Sequence, residues 1–112
     1  MTTQPEQTEK EFQAQVIELA HLLGWEVMHV RTSIGRRGGA AAHQTTTSIK
    51  GWPDLFCFRP GQTFVAELKS ATGRVSEDQV RVLHGLAEAG LKTFVWRPSS
   101  WDEIQRVLSK GP

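Results

Sequence analysis

Three ionisable side chains lie at the ends of two short apolar segments in the middle of the chain. Asp54 opens the segment 54–58, and Glu67 and Lys69 close the segment 64–69. The residues between them include a Pro and a Gly, so the two segments are predicted to form a β-hairpin. Side chains two residues apart on a strand point to the same face, which places Glu67 beside Lys69. Mg²⁺ prefers carboxylate oxygens and an ammonium group can orient a water molecule, so the pattern predicts metal-dependent hydrolysis.

A simpler interpretation is an ordinary hairpin on which the acidic and basic residues of the second segment form a surface ion pair. Neighbouring motifs favour the chemical interpretation. Gly51-Trp-Pro-Asp54, Ala66-Glu-Leu-Lys69 and Ser76-Glu-Asp-Gln79 together resemble the PD-(D/E)xK nuclease superfamily. They are most similar to its VRR-NUC branch (virus-type replication-repair nuclease), in the stand-alone, single-domain type. The resemblance extends over about residues 8–96.

The resemblance implies a role for each residue of these motifs. Asp54 and Glu67 would hold Mg²⁺ or Mn²⁺, with a main-chain oxygen of Leu68 as a further ligand. Lys69 would position the nucleophile or stabilise charge in the transition state. Gln79 would orient the lysine, a water molecule or a phosphate. Its capping-box spacing also gives Gln79 a structural role at the start of a helix, and the two roles are compatible.

The superfamily often takes a third carboxylate from its first helix, and two glutamates compete for that role here. Thr8-Glu-Lys-Glu11 is a capping-box pattern, so Glu11 has a structural role. Glu9 lies three residues before Phe12, on the core-facing side of a helix predicted over 9–23. Glu-x-Glu-apolar at a helix start also resembles archaeal-type Holliday junction resolvases, in which the first Glu is functional. We assign Glu9 to the catalytic site and keep Glu11 as the alternative, with a helix-dipole role for both as the structural interpretation.

A basic segment precedes the hairpin. No acidic residue occurs between Glu26 and Asp54. The Gly-, Ala- and Thr-rich composition predicts a flexible loop at about 31–50, and loops of this length in compact domains are functional or mobile. We expect it to contact phosphates independently of base sequence, and the alternative is an insertion without a role. The predicted DNA-binding residues are His29, Arg31, Arg36, Arg37 and Lys50, with Arg74 after the hairpin.

Length and composition limit the class of protein. The chain has 112 residues, a formal net charge of +1 and one cysteine. The length predicts a single domain over 8–112, preceded by a disordered tail over 1–7. Cys57 is predicted to be a small core residue, and a single cysteine permits no internal disulfide. No apolar segment approaches membrane-spanning length, so we expect a cytoplasmic protein without a membrane partner.

The predicted order of elements is helix, strand, strand, strand, helix, strand, helix. Capping-box patterns at Thr8, Ser76 and Ser100 mark the three helix starts, and the remaining strands are predicted at 25–30 and 91–96. Up to the last helix this is the αβββαβ core of the resembled superfamily. We therefore expect an α/β, restriction-endonuclease-like fold with a mixed central sheet flanked by helices and an extra C-terminal helix.

The resulting functional prediction is a metal-dependent DNA endonuclease that hydrolyses phosphodiester bonds. The single-domain members of the resembled branch imply a phage-encoded homodimer that cleaves branched DNA, as a Holliday junction resolvase does. Two alternatives stay open. One is a flap or nicking nuclease of phage replication or packaging, and the other is a non-catalytic DNA-binding module of the same fold.

Overall fold

The computed structural model describes residues 7–30, 32–37, 40–45 and 48–112, and covers the backbone alone over 32–37 and 40–45. The predicted tail over 1–7 lies outside the described residues except for Gln7, whose Nε2 donates to Gln15 Oε1 at 2.8 Å. The elements in chain order are α1 (Glu9–Leu22), β1 (Glu26–His29), β2 (Thr32–Arg37), β3 (Ala40–Thr45), β4 (Leu55–Arg59), β5 (Gln62–Leu68), α2 (Glu77–Glu88), β6 (Thr93–Trp96) and α3 (Trp101–Lys110), with a 3-10 turn at Pro98–Ser100.

The four strands β1, β4, β5 and β6 form a mixed sheet in the order β1-β4-β5-β6. The β1–β4 and β4–β5 pairs are antiparallel, and the β5–β6 pair is parallel. Because successive residues on a strand point to opposite faces, Phe64, Ala66 and Leu68 face one side of β5 and Val65 and Glu67 face the other. The predicted mixed sheet flanked by helices is confirmed.

The hydrophobic core lies on the Phe64 face of the sheet. It is formed by buried side chains of α1 and α3 packed against the strands, which accounts for the helical spacing of apolar residues in both helices. The cluster contains Phe12, Val16, Ala20, Trp25, Leu55, Cys57, Phe64, Ala66, Leu68, Trp96, Ile104, Val107 and Leu108. Cys57 is fully buried, and burial raises the pKa of its thiol to about 12, so its predicted role as a core residue is confirmed.

The basic segment differs from the prediction, because it contains two strands where a loop was expected. β2 and β3 pair antiparallel in a separate two-stranded sheet, with Thr32 opposite Thr45 and Arg37 opposite Ala40. These strands carry many small residues and little apolar alternation, so they lack the pattern by which strands are usually recognised. Pairing with each other satisfies the backbone hydrogen-bonding groups that face the partner strand.

The hairpin β4–β5 is anchored at its turn end, where its neighbours are α1 and α3. The Arg59 guanidinium donates to Leu23 O at 2.9 Å and to Ser109 O at 3.0 Å, and it lies 4.4 Å from the ring centroid of Trp25. The Trp25 indole N–H in turn donates to Leu108 O at 2.9 Å. These contacts fix one end of the hairpin, and the ionisable residues lie at the other. No helix within the described ranges is long and apolar enough to cross a bilayer.

Candidate active site

Asp54 and Glu67 lie at the same end of the hairpin and are in contact. The antiparallel register pairs Leu55 with Ala66, so the residue before β4 and the last residues of β5 come together. The Asp54 N–H donates to Glu67 Oε1 at 3.2 Å, and the Leu68 N–H donates to Asp54 Oδ2 at 2.8 Å. Each carboxylate is therefore held by a backbone donor of the opposite strand, which fixes the pair more firmly than side-chain contacts alone.

Lys69 completes the cluster on the same face of β5. Its Nζ lies 3.3 Å from Glu67 Oε2, and the two side chains are only 14% and 2% exposed. The ion pair is therefore enclosed, unlike the surface pair of the simpler interpretation. Removing two charges from water is costly, and a buried ion pair is weak evidence for a stabilising role. Enclosed charges of this kind are more typical of a functional site.

The environment of Glu67 makes ionisation of its carboxyl group unfavourable. Burial is the largest cause and the neighbouring Asp54 carboxylate is the second, and together they raise the pKa of Glu67 to about 8. Lys69 acts in the opposite direction and offsets part of this effect. Two carboxylates at close range repel each other when both are ionised. The pair is therefore arranged to favour either a shared proton or a bound cation.

Gln79 closes the predicted capping box, and its side chain also reaches the site, where it contacts the Glu67 carboxylate; the role predicted for it there was to orient Lys69, a water molecule or a phosphate. The side-chain oxygen of Gln79 accepts from the backbone N–H of Ser76 at 2.8 Å, and the backbone N–H of Gln79 donates to Ser76 Oγ at 3.1 Å. These two bonds close a capping box at the start of α2. Its side-chain Nε2 donates to Glu67 Oε2 at 2.6 Å. One amide group thus begins a helix with its oxygen and holds the Glu67 carboxylate with its nitrogen.

The turn before Asp54 is pressed against the start of α2. Gly51 has φ +90°, and a Cβ at this position would lie 2.5 Å from the carbonyl carbon of Asp78 and 2.8 Å from the backbone nitrogen of Gln79. Only glycine tolerates both the backbone angle and this approach. Gly51 therefore sets the distance between the Asp54 turn and the helix that carries Gln79.

The carboxylate pair, Lys69 and Gln79 line an open cavity of about 540 Å³, together with residues of α1. The lining residues are Glu9, Lys10, Gln13, Ala14, Ile17, His29, Val30, Asp54, Glu67, Lys69 and Gln79. Glu9 is among them and Glu11 is not. The Glu11 N–H instead donates to Thr8 Oγ1 at 3.1 Å, and its carboxylate accepts from the Thr8 hydroxyl at 2.9 Å. The structure thus places Glu9 across the cavity from the carboxylate pair and engages Glu11 in helix capping.

The other residues of the α1 wall were not predicted from the sequence. Lys10, Gln13 and Ile17 line the cavity at intervals of three and four residues, which places them on one stripe of the helix. Spacing from Glu9 could have indicated two of them, because Gln13 lies four residues after Glu9 and Ile17 four residues after Gln13. Lys10 is adjacent to Glu9 in sequence, so this spacing does not indicate it. They escaped notice because they are ordinary polar and apolar residues on an amphipathic helix.

The predicted DNA-binding residues are dispersed. His29 lines the cavity, whereas Arg74 is exposed and lies outside the lining. The Lys50 side chain is 88% exposed, and its Nζ lies 3.4 Å from Asp78 Oδ2, beside the start of α2. Arg31 lies outside the described residues, and Arg36 and Arg37 are described by their backbone positions in β2 alone.

The residues that could hold a metal ion are the two contacting carboxylates, with Glu9 on the opposite wall. Within the described part of the chain, no three His, Cys, Asp or Glu side chains are gathered as a ready set of ligands. Two carboxylates are nevertheless a suitable donor set for Mg²⁺, which retains several waters and binds through one or two protein carboxylates plus phosphate oxygens. A divalent cation would also relieve the repulsion that raises the pKa of Glu67, so the donor chemistry fits.

A scan against protein-family models, a search of curated proteins and a search of solved structures each return no match for this chain.

Proposed function

We propose that this protein is a metal-dependent endonuclease that hydrolyses phosphodiester bonds in DNA. The observation that carries the proposal is the enclosed cluster of Asp54, Glu67 and Lys69, held by backbone donors and by Gln79 at the wall of an open cavity. Two carboxylates and a lysine at the end of a hairpin are the groups expected for hydrolysis of a phosphodiester at Mg²⁺ or Mn²⁺.

Asp54 and Glu67 are the proposed metal-binding side chains, with the main-chain oxygen of Leu68 as a further ligand and Glu9 approaching from α1. The bound ion would polarise a phosphate oxygen and lower the pKa of a water molecule. Lys69 would position that water or stabilise negative charge on the phosphate. Gln79 would keep the Glu67 carboxylate in place, because its amide donates to Glu67 Oε2.

The fold supports the same proposal. If the β2–β3 hairpin is set aside, the sheet and helices follow the order α1-β1-β4-β5-α2-β6-α3. This is the αβββαβ order of the restriction-endonuclease-like core, followed by one more helix. We propose that β2 and β3 are an insertion into that core between its first and second strands, and that the chain belongs to the VRR-NUC branch.

The proposed substrate is branched DNA, cleaved by a homodimer. The proposed contacts go to phosphates and not to base edges, so selectivity would depend on DNA shape. Two-fold symmetry would place two active sites on opposed strands of a four-way junction. Arg31, Arg36, Arg37, Lys50 and Arg74 are proposed to contact phosphates, and this would position the DNA without selecting a sequence.

A cleavage assay with four-way, flap, nicked and linear DNA of matched sequence tests this function. The expected result is cleavage that requires Mg²⁺ or Mn²⁺ and is fastest on the four-way junction, by a protein that sediments as a dimer. Preference for flap or nicked DNA would replace the junction-resolving role with the alternative nuclease role. Metal-dependent binding without cleavage of any substrate would contradict the enzyme and favour the non-catalytic module.

A further inference from the structure

The cavity is lined by two lysines with different surroundings. The Lys69 ammonium is enclosed and paired with Glu67 at 3.3 Å. Lys10 is exposed on α1, and no hydrogen bond or ion pair joins its side chain to the rest of the described structure. Lys69 is therefore committed to the carboxylate cluster, whereas Lys10 is available to a ligand in the cavity.

Gln13 lies beside Lys10 on the same stripe of α1. It is half-buried, lines the cavity and, like Lys10, has no hydrogen bond to another residue in the part of the chain that the structure describes. Its amide can donate to a phosphate oxygen, as an ammonium group can. Two adjacent, unengaged donors thus face the enclosed carboxylates across the cavity.

The size and charge of the cavity indicate what these donors bind. Its volume of about 540 Å³ exceeds that of a single phosphate group severalfold, given that a water molecule takes up about 30 Å³. One wall carries Asp54 and Glu67 and would attract a cation, whereas the α1 wall offers an ammonium and an amide. Glu9 is the one carboxylate of the α1 wall, and the proposed function assigns it to the metal.

We infer that Lys10 and Gln13 form a second phosphate subsite, which holds a phosphate of the substrate strand next to the one being cleaved. This inference depends on the proposed function, because it assumes that the carboxylate wall receives the scissile phosphate. The subsite binds the sugar-phosphate backbone of the DNA strand, so it contributes to affinity and positions the strand without selecting a base sequence.

The test compares two substrates that differ in neighbouring phosphates. A dinucleoside monophosphate contains only the scissile phosphate, whereas a decanucleotide contains phosphates on both sides of every bond except the first and the last. For Lys10→Gln, the ratio of kcat/KM on the decanucleotide to kcat/KM on the dinucleotide is expected to fall about threefold to tenfold. Gln13→Glu, which adds a negative charge and can engage Lys10, is expected to lower the same ratio.

Lys110→Gln is the matched control, since Lys110 is an exposed lysine of α3 at the turn end of the hairpin, away from the carboxylates. It is expected to leave the ratio unchanged. All three substitutions introduce good helix formers at helical positions, so circular dichroism should show intact folding. A Lys10→Gln ratio equal to that of Lys110→Gln overturns the subsite, as does an equal loss on both substrates.

Binding measurements separate failure of the subsite from failure of the proposed function. Decanucleotide affinity is measured across a salt series with Ca²⁺ in place of the catalytic metal. Lys10→Gln should reduce the magnitude of the log–log salt slope by roughly 0.7, the value for one contact to a single strand. If the wild-type protein cleaves no DNA but Lys10→Gln still reduces its salt slope, the subsite is supported and the nuclease activity is not. An unchanged slope removes the subsite even if the wild-type protein cleaves DNA.

Discussion

At the scale of single residues, the site is defined by where its hydrogen-bond donors come from. Glu67 is almost fully buried, yet it receives hydrogen bonds from the Asp54 backbone and the Gln79 amide and an ion pair from Lys69. A buried carboxyl group with this many partners is held in one orientation. Its raised pKa shows that the partners do not fully offset burial and the charge of Asp54.

The raised pKa of Glu67 predicts a pH dependence of stability for the metal-free protein. The pKa rises from 4.5 to about 8 on folding, so the folded state binds more protons than the unfolded state between these values. The contribution of Glu67 to the free energy of unfolding should therefore be fully present at and below about pH 4.5 and decrease towards pH 8, by on the order of a few kcal/mol.

Urea denaturation at pH 5 and pH 8 measures this contribution. Glu67→Gln is neutral at both pH values, so the variant should lose less stability than the wild-type protein over this interval. An equal decrease in both proteins would show that Glu67 is ionised in the folded state at pH 5.

The two glutamates of the first turn of α1 should respond differently to the same substitution. Glu9→Gln removes a carboxylate from the cavity wall and should lower cleavage about tenfold or more. Glu11→Gln retains a residue suited to the capping box, so cleavage should stay within about twofold of wild type. Cleavage rates are measured with Mg²⁺ in excess, and the reverse order of the two variants would assign the site to Glu11.

At the scale of elements, the prediction from the sequence was correct where the apolar periodicity and the helix-capping residues indicated the same element. The central hairpin, α1 and α2 follow from alternating or helical apolar patterns bounded by Thr8 and Ser76, whose side chains accept the expected N-cap hydrogen bonds. The predicted box at Ser100 was wrong. Ser100 is the N-cap of α3, but its side chain makes no capping hydrogen bond to that helix. Its hydroxyl instead accepts from the Arg97 N–H at 3.0 Å, across the 3-10 turn that begins at Pro98.

The site was predictable to the extent that it is local in sequence. Residues on one hairpin are brought together by its register, so the convergence of Asp54, Glu67 and Lys69 follows from the pattern alone. The packing of Gly51 against α2 and the α1 wall with Lys10 depend on tertiary placement. No spacing rule within the sequence encodes contacts between elements this far apart.

The contact between Gly51 and α2 predicts the effect of a single methyl group. Gly51→Ala places Cβ at φ +90° and 2.5 Å from the Asp78 backbone, so the turn or the helix must shift. We expect a loss of about 2–4 kcal/mol in the free energy of unfolding, together with reduced cleavage because Asp54 moves relative to Gln79.

Gly85→Ala is the control for that substitution. Gly85 lies inside α2, and a Cβ there would have no heavy atom within 4 Å. The change should stabilise the protein by up to about 1 kcal/mol, since alanine is the better helix former. The free energies of unfolding of both variants are compared by chemical denaturation. Similar values would show that the Gly51 turn accommodates a Cβ without loss of stability.

At the scale of the whole molecule, the contacts that anchor the hairpin and the cluster of ionisable side chains lie at opposite ends of the hairpin. Arg59 and Trp25 fix the turn end of the hairpin to α1 and α3, and the carboxylate pair lies at the other end beside α2. The end of the hairpin that carries the carboxylate pair thus faces an open cavity. The whole chain has a modest net charge of +1, so affinity for a polyanion would depend on where its basic residues lie and not on their number.

We propose that Asp54 and Glu67 are the metal-binding carboxylates of a DNA-cleaving site. The most direct measurement is the rate of DNA cleavage in Mn²⁺ by Glu67→Gln, with folding checked by circular dichroism. Glu88→Gln is the control, because Glu88 is an exposed glutamate of α2 paired with His84. We predict at least about a 100-fold loss for Glu67→Gln and an unchanged rate for Glu88→Gln. A folded Glu67→Gln protein that cleaves DNA at the wild-type rate would contradict the account.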